Sequence, residues 1–262
     1  MLRLQTLTVL ALALGPCVPS YATTTYFSGT TIPIPAGLVQ GDCFQLVFVT
    51  GENYTGASTN IGDYNADVTT SANEATSLVA GLGITWSVLG STAAVNVLSN
   101  IVNTSPSITN FEGIYDLGGN LIADGTETTG KGLYSGALQN FFDTTEYGTT
   151  IYNTVWTGTA SNGSTTPEAL GTADPFAGSS HTTNTTWTEA FLISAGSGSA
   201  LYAISNPLFL GPGNTLLTQA PVPEPATIGM TLLGLASCYL AARRKRMVAP
   251  PKATTGRTPE LR

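Results

Sequence analysis

Lysine and arginine are almost missing from the long middle of this chain. Nine occur in 262 residues, yet Lys131 alone falls between Thr23 and Ala220. Nucleic-acid binding needs a basic surface to neutralise phosphates, so that class of partner is excluded. Anionic lipid is disfavoured for the same reason. Cysteine is nearly as scarce: Cys17, Cys43 and Cys238 are the three, and Cys43 is alone in the middle. No intrachain disulfide is open to it there. A chain of about 200 residues is long enough to bury a core without such a staple, and Cys43 reads as a small buried core residue. The single histidine, His181, lacks the companions of a zinc site. No Gly-x-Ser-x-Gly elbow accompanies it, which weakens a Ser-His-Asp hydrolase reading. No repeat of fixed period is visible.

The two ends carry the strongest positive signals. Val222-Pro223-Glu224-Pro225 precedes an uncharged apolar run over 226–242, which stops at Arg243-Arg244-Lys245-Arg246. The prolines break any helix arriving from the N-terminal side. As a helix the run would be about 25 Å long at ~1.5 Å per residue, slightly under the ~30 Å hydrocarbon core. The basic cluster fixes its end in the cytoplasm, which places everything before Val222 outside. At the N-terminus, Arg3, the apolar stretch 7–14 and Ser20-Tyr21-Ala22 form a signal peptide, with signal peptidase expected to cut between Ala22 and Thr23.

The C-terminal segment resembles the PEP-CTERM sorting signal of Gram-negative bacteria. The resemblance rests on Pro223-Glu224-Pro225, the hydrophobic stretch 229–240 and the cluster Arg243, Arg244, Lys245 and Arg246. It implies an exosortase-type membrane protease as partner. That protease would remove the anchor and leave the ectodomain at the surface or outside the cell. The polar tail 247–262 departs from such signals, which usually end soon after the basic cluster. The expected organisation is a signal peptide over 1–22, an exported ectodomain over 23–205 and a proline-containing linker over 206–221. The sorting signal covers 222–246, with a transmembrane helix over 226–242, and a cytoplasmic tail follows.

Within the ectodomain, 44–49 reads as a β-branched and aromatic strand. Residues 63–80 read as a helix capped by Asp63 and stopped by Gly81. Short strands are expected over 85–89 and 155–159, and a weaker helix over 93–102. A hairpin is expected around Gly118-Gly119-Asn120, with late strands over 187–194 and 200–204. This order predicts an α+β domain. It resembles a bacterial C-type-lectin-like, endostatin-related domain through 44–50, 63–80, Thr85-Trp86, Ile114-Tyr115-Asp116, 155–159 and Trp187. That resemblance implies a single lectin-like ectodomain with one or two helices. Glu-Pro-Asn, Gln-Pro-Asp and Trp-Asn-Asp, the calcium–sugar signatures of that family, are absent here. An all-β sandwich is the alternative architecture.

Candidate ligand residues follow from chemistry. Asp116, Asp124 and Glu127 surround a glycine-rich turn, and oxygen ligands of this kind suit calcium. Their spacing equally suits turn formation, and no metal site is assigned. Asp63 and Asp67 share a helix face. Trp156 and Trp187, like Trp86, present rings that either stack on sugars or pack in a core. The expected function is a non-enzymatic surface or matrix protein, structural or adhesive, associated with exopolysaccharide. A carbohydrate-binding module is the alternative. A hydrolase using His181 or an acidic pair is the weaker one.

Overall fold

The run at 43–49, apolar but for Gln45, becomes the strand on which the domain is organised. The computed structural model describes residues 24–101, 111–125 and 132–218. The expected cleavage site at Ala22, Lys131 and the whole of 219–262 lie outside the described residues. In chain order the first elements are β1 (Cys43–Val49), β2 (Tyr54–Thr55), α1 (Ile61–Ala72), β3 (Trp86–Val88), α2 (Val97–Asn100), β4 (Phe111–Asp116) and β5 (Leu121–Ala123). They are followed by β6 (Thr154–Trp156), β7 (Phe176–Ser179), β8 (Phe191–Leu192), β9 (Gly198–Ser205), β10 (Leu208–Leu210) and β11 (Leu216–Leu217).

These strands form one mixed sheet with the order β11-β10-β1-β9-β6-β7-β8. Strands β2 and β3 also pair with β9, and the β4–β5 hairpin joins through β4. The β1–β4 and β6–β9 pairs are parallel, while β1 runs antiparallel to β9 and to β10. Successive strand side chains point to opposite faces, and here both faces are covered. Phe44, Leu46 and Phe48 of β1 join Leu201 and Ala203 of β9 in one core cluster. Val47 and Val49 join Ala200, Tyr202 and Ile204 in the other. A strand buried on both faces has no polar side to write into its sequence, which is why 43–49 shows no alternation. Helix α1 supplies Tyr64, Val68 and Ala72 to the first cluster. Loop residues Leu133, Tyr134, Leu138 and Phe142, with Trp187, build much of the second.

The α+β expectation is overturned. Among the described residues, α1 is the one helix of seven residues or more, and the architecture is a mixed β-sheet of eleven strands. The lectin-like reading with one or two helices goes with it. The all-β sandwich fares no better, because the strands connect into one mixed sheet rather than two antiparallel ones. No described helix is long and apolar enough to cross a membrane. The expected span 226–242 lies outside the described residues.

The helices are shorter than their apolar spacing suggests, for local reasons. Asn60, not Asp63, caps α1 by accepting the Gly62 amide at 3.1 Å. The Thr69 and Thr70 hydroxyls bond back to the carbonyls of Asn65 and Ala66, a habit that weakens a helix interior. The Asn73 side chain takes the Thr69 carbonyl at 2.8 Å, and the helix stops at Ala72 rather than 80. Over the described part of the stretch expected at 93–102, residues 93–101, only the four residues of α2 are helical. Trp187 lies in a 3₁₀ turn, Thr185–Trp187, rather than at the head of a strand. The expected linker over 206–221 is largely built into the sheet, since β10, a 3₁₀ turn at Pro212–Asn214 and β11 occupy it up to Leu217.

Candidate functional site

Asp116 ends β4, where four donors surround its carboxylate. Oδ1 accepts the amides of Gly118 at 2.9 Å and Asn120 at 2.8 Å. Oδ2 accepts the Asn120 side-chain amide at 2.9 Å and the Thr144 hydroxyl at 2.8 Å. Gly119, at φ 83, supplies the left-handed residue that the turn requires. The carboxylate is buried and fully used in closing the β4–β5 hairpin. Asp124 is exposed just past β5, and Glu127 lies outside the described residues. No group of three or more His, Cys, Asp or Glu among the described residues is placed to hold a metal ion. Asp63 serves the start of α1, accepting from Ser58 and Asn60 side chains at 2.6 and 2.9 Å.

The sugar-stacking roles considered for Trp156 and Trp187 are corrected to packing. Trp156 is fully buried and donates its indole N–H to the Tyr54 carbonyl at 2.8 Å. Trp187 is buried in the opposite cluster against Tyr134, Phe142 and Tyr202. Trp86 packs edge-on to Phe48. None of the three indoles has a face open to solvent. Cys43 is likewise enclosed, and burial pushes its thiol up to about 12, so it is not a nucleophile at neutral pH.

A different constellation gathers at the surface around His181, just after β7. Its ring centroid lies 3.9 Å from that of Phe141 and 4.1 Å from that of Tyr152. Its Nδ1 is 3.2 Å from Asp143 Oδ2. Phe141 is 41% and Tyr152 72% exposed, so large aromatic surface faces water beside a hydrogen-bonding pair. Two connections, β5–β6 and β7–β8, hold these groups in place. The Asp143 carbonyl accepts the Ile151 amide at 2.9 Å, and the Leu138 amide donates to the Thr183 carbonyl at 2.7 Å. The Ser180 hydroxyl donates to the Ile151 carbonyl at 3.0 Å and accepts the Asn153 amide at 2.9 Å. With a neutral ring whose Nδ1–H donates to Asp143, Nε2 is left as an acceptor. Apolar ring faces flanking an acceptor and a carboxylate suit a ligand with one apolar face and hydroxyls on its rim.

No motif in the sequence joins Phe141, Asp143 or Tyr152 to His181. The first three lie in the β5–β6 connection and His181 in the β7–β8 connection, and no spacing links the two. The one available signal was that Phe141, Tyr152 and His181 occur outside any strand pattern.

A second acidic locus lies at the end of β1. Glu146 is buried, and its Oε2 accepts the Gly51 amide at 2.8 Å. Its Oε1 has no hydrogen-bond partner. Burial, with the nearby charges of Glu74 and Glu52 added, raises its pKa above the ordinary value. The Tyr147 hydroxyl donates to Glu74, and this bond is the main reason that the phenol titrates above its usual range.

Comparison with known proteins bears on the C-terminus. No curated protein matches the chain. Residues 221–246 match the PEP-CTERM protein-sorting motif. The matched stretch includes Val222, Pro223, Glu224 and Pro225 and the cluster Arg243, Arg244, Lys245 and Arg246, all outside the described residues. The motif indicates export, a C-terminal anchor and processing by an exosortase-type membrane protease before display at the cell surface.

Proposed function

We propose that this chain is a non-enzymatic surface protein whose ectodomain adheres to polysaccharide outside the cell. The observation that carries the reading is the His181 patch, where two exposed aromatic rings flank an imidazole–carboxylate pair. Aromatic rings stack on the apolar faces of pyranoses, while the polar pair meets their hydroxyls. Lys131 is the one lysine or arginine between Thr23 and Ala220. Anionic polymers are therefore repelled, and a neutral glycan is the fitting ligand. Sorting to the cell surface puts the patch where such polymers are found.

The test is retention of the ectodomain on neutral exopolysaccharide from the producing organism, or on a neutral glycan array. Phe141→Ala and Tyr152→Ala together should weaken retention at least about tenfold, the order expected from losing two stacking contacts. Their melting temperature should match that of the wild type. Equal retention by wild type and the double variant would overturn the reading. The His181–Asp143 pair also favours a hydrolase as second reading. Against it, the adjacent Ser180 hydroxyl is spent on Ile151 and Asn153. Glycan turnover that is lost in His181→Ala would establish that second reading instead.

A further inference from the structure

The sorting motif begins at residue 221, and the last described residue is Thr218, directly after β11. Five residues lead from Thr218 to Pro223. Even fully extended they reach only about 18 Å, at ~3.3–3.6 Å per residue. A folded domain of this size has a radius of gyration of about 16 Å. A protease that grips the motif therefore cannot work at a distance from the ectodomain. Some face of the domain must lie against it.

Where the chain leaves β10 and turns through Pro212–Asn214 into β11, it borders a cleft of about 400 Å³. Thr25, Ile34, Ala36, Leu38, Leu210 and Asn214 line it, so the N-terminal arm forms the opposite wall. The walls are tied together: the Ser28 amide donates to the Asn214 carbonyl, and the Gly41 amide to the Leu210 carbonyl, each at 2.8 Å. Asn214, at φ 64, is the one described non-glycine residue with a left-handed backbone. The side chains of both walls are free of charge, and the α-amine that cleavage after Ala22 leaves at Thr23 is the one charged group beside them. The sequence has no Asp, Glu, Lys, Arg or His over 4–41, nor over 190–223. The rest of the ectodomain is acidic with almost no basic residue. The cleft is thus a face that meets another protein without burying an unpaired carboxylate.

We infer that this cleft between the N-terminal arm and the β10–β11 turn is the surface on which the exosortase-type protease docks while it processes the chain. The inference rests on the sorting reading and commits to an uncharged, partly apolar outer surface of that protease as its occupant.

The experiment uses the full chain in a host carrying the protease and follows the ratio of processed to unprocessed protein. Thr25→Glu with Ala36→Glu places two carboxylates on exposed cleft positions. This variant should be processed at least about tenfold more slowly, with the ectodomain's melting temperature unchanged. Ten Gly/Ser residues inserted after Thr218 lengthen the tether, so the face no longer has to abut the protease. Processing of the double variant should then return to within about twofold of wild type, since a flexible linker of that length spans a further ~15–20 Å. Wild-type processing of the double variant without the insertion would overturn the inference. So would a defect that the insertion does not relieve. In a host lacking the protease the variants should fractionate with membranes as wild type does; a difference there would assign the face to lipid and overturn the proposal. Replacing Pro223-Glu224-Pro225 by alanines is the separate control. If that variant is processed normally the sorting reading itself fails, whatever the cleft variants do.

Discussion

Asp116 sits in a turn whose four donors converge on one buried carboxylate, and two of them are backbone amides. Alanine there would leave the buried Thr144 hydroxyl without its acceptor, while the donors of the exposed Gly118 and Asn120 turn to water and the turn loses its tie. The expected cost is about 1–3 kcal/mol, the cost of one unsatisfied buried group. Chemical denaturation of the ectodomain would read this as a lowered midpoint with an unchanged slope. An effect under 0.5 kcal/mol, the usual size for surface substitutions, would show that the turn is not held this way. Glu146 makes the opposite kind of prediction. Its pKa is raised on folding, chiefly by burial, so the folded state binds its proton more tightly than the unfolded chain does. The stability from this group is fully present below the ordinary value of 4.5 and is lost as pH rises through the raised folded value. In Glu146→Gln this dependence disappears. The melting temperature of the variant, relative to wild type, should therefore move upward between pH 4 and pH 8. A constant difference across that range would mean that the carboxyl titrates normally.

At the level of elements, how far the sequence could be read depended on how each element is buried. The run behind β1 was plain, because burial on both faces leaves it with no polar side, and its one polar residue, Gln45, is itself buried and donates to the Ser205 carbonyl. The β4–β5 hairpin was plain as well, because Gly118-Gly119-Asn120 is strong turn chemistry and Asp116 caps it. Helix α1 was found but extended too far, since the apolar spacing continues past Ala72 while the Asn73 cap ends the hydrogen bonding. Strands β2, β7, β8, β10 and β11 have two to four residues each, too few for a period to register. They exist because neighbouring strands offer edges for them to pair with, β9 for β2, β1 for β10, β6 for β7, β7 for β8 and β10 for β11, which is tertiary information. The His181 patch was illegible for the same reason, being assembled by loops whose register those short strands set. One of them gives a clean test. Gly178 in β7 packs directly on the Trp187 backbone, and a methyl group there would overlap the Trp187 carbonyl. Gly178→Ala should destabilise by about 2–3 kcal/mol or more, because backbone on both sides cannot yield as a side chain can. A melting temperature within 1 °C of wild type would show that β7 and the Trp187 turn are not in contact.

For the whole molecule, the dominant feature is the one that the composition announces. Of the 16 acidic residues, all but Glu224 and Glu260 lie between Thr23 and Ala220, against Lys131 as the single basic residue. Among the described residues the one contact between a basic and an acidic side chain is His181 with Asp143, at the surface, and it is a hydrogen bond while the ring is neutral. The carboxylates of the ectodomain thus far outnumber its cations, and self-repulsion in the folded state opposes the burial that holds the sheet together. Salt screens such repulsion, with a Debye length that falls from about 30 Å at 0.01 M to ~8 Å at 0.15 M. Where stability rests on surface ion pairs, added salt weakens it; here there are almost none to weaken. Raising sodium chloride from 10 to 150 mM should therefore raise the melting temperature of the ectodomain by several degrees, with most of the gain below 100 mM. Reducing agent should leave that temperature unchanged, because Cys43 is buried and has no partner in the domain. Scanning calorimetry at fixed pH across the salt series measures both effects. A melting temperature that falls with salt would show that cationic contacts, with Lys131 the sole candidate inside the ectodomain, outweigh the repulsion among its carboxylates.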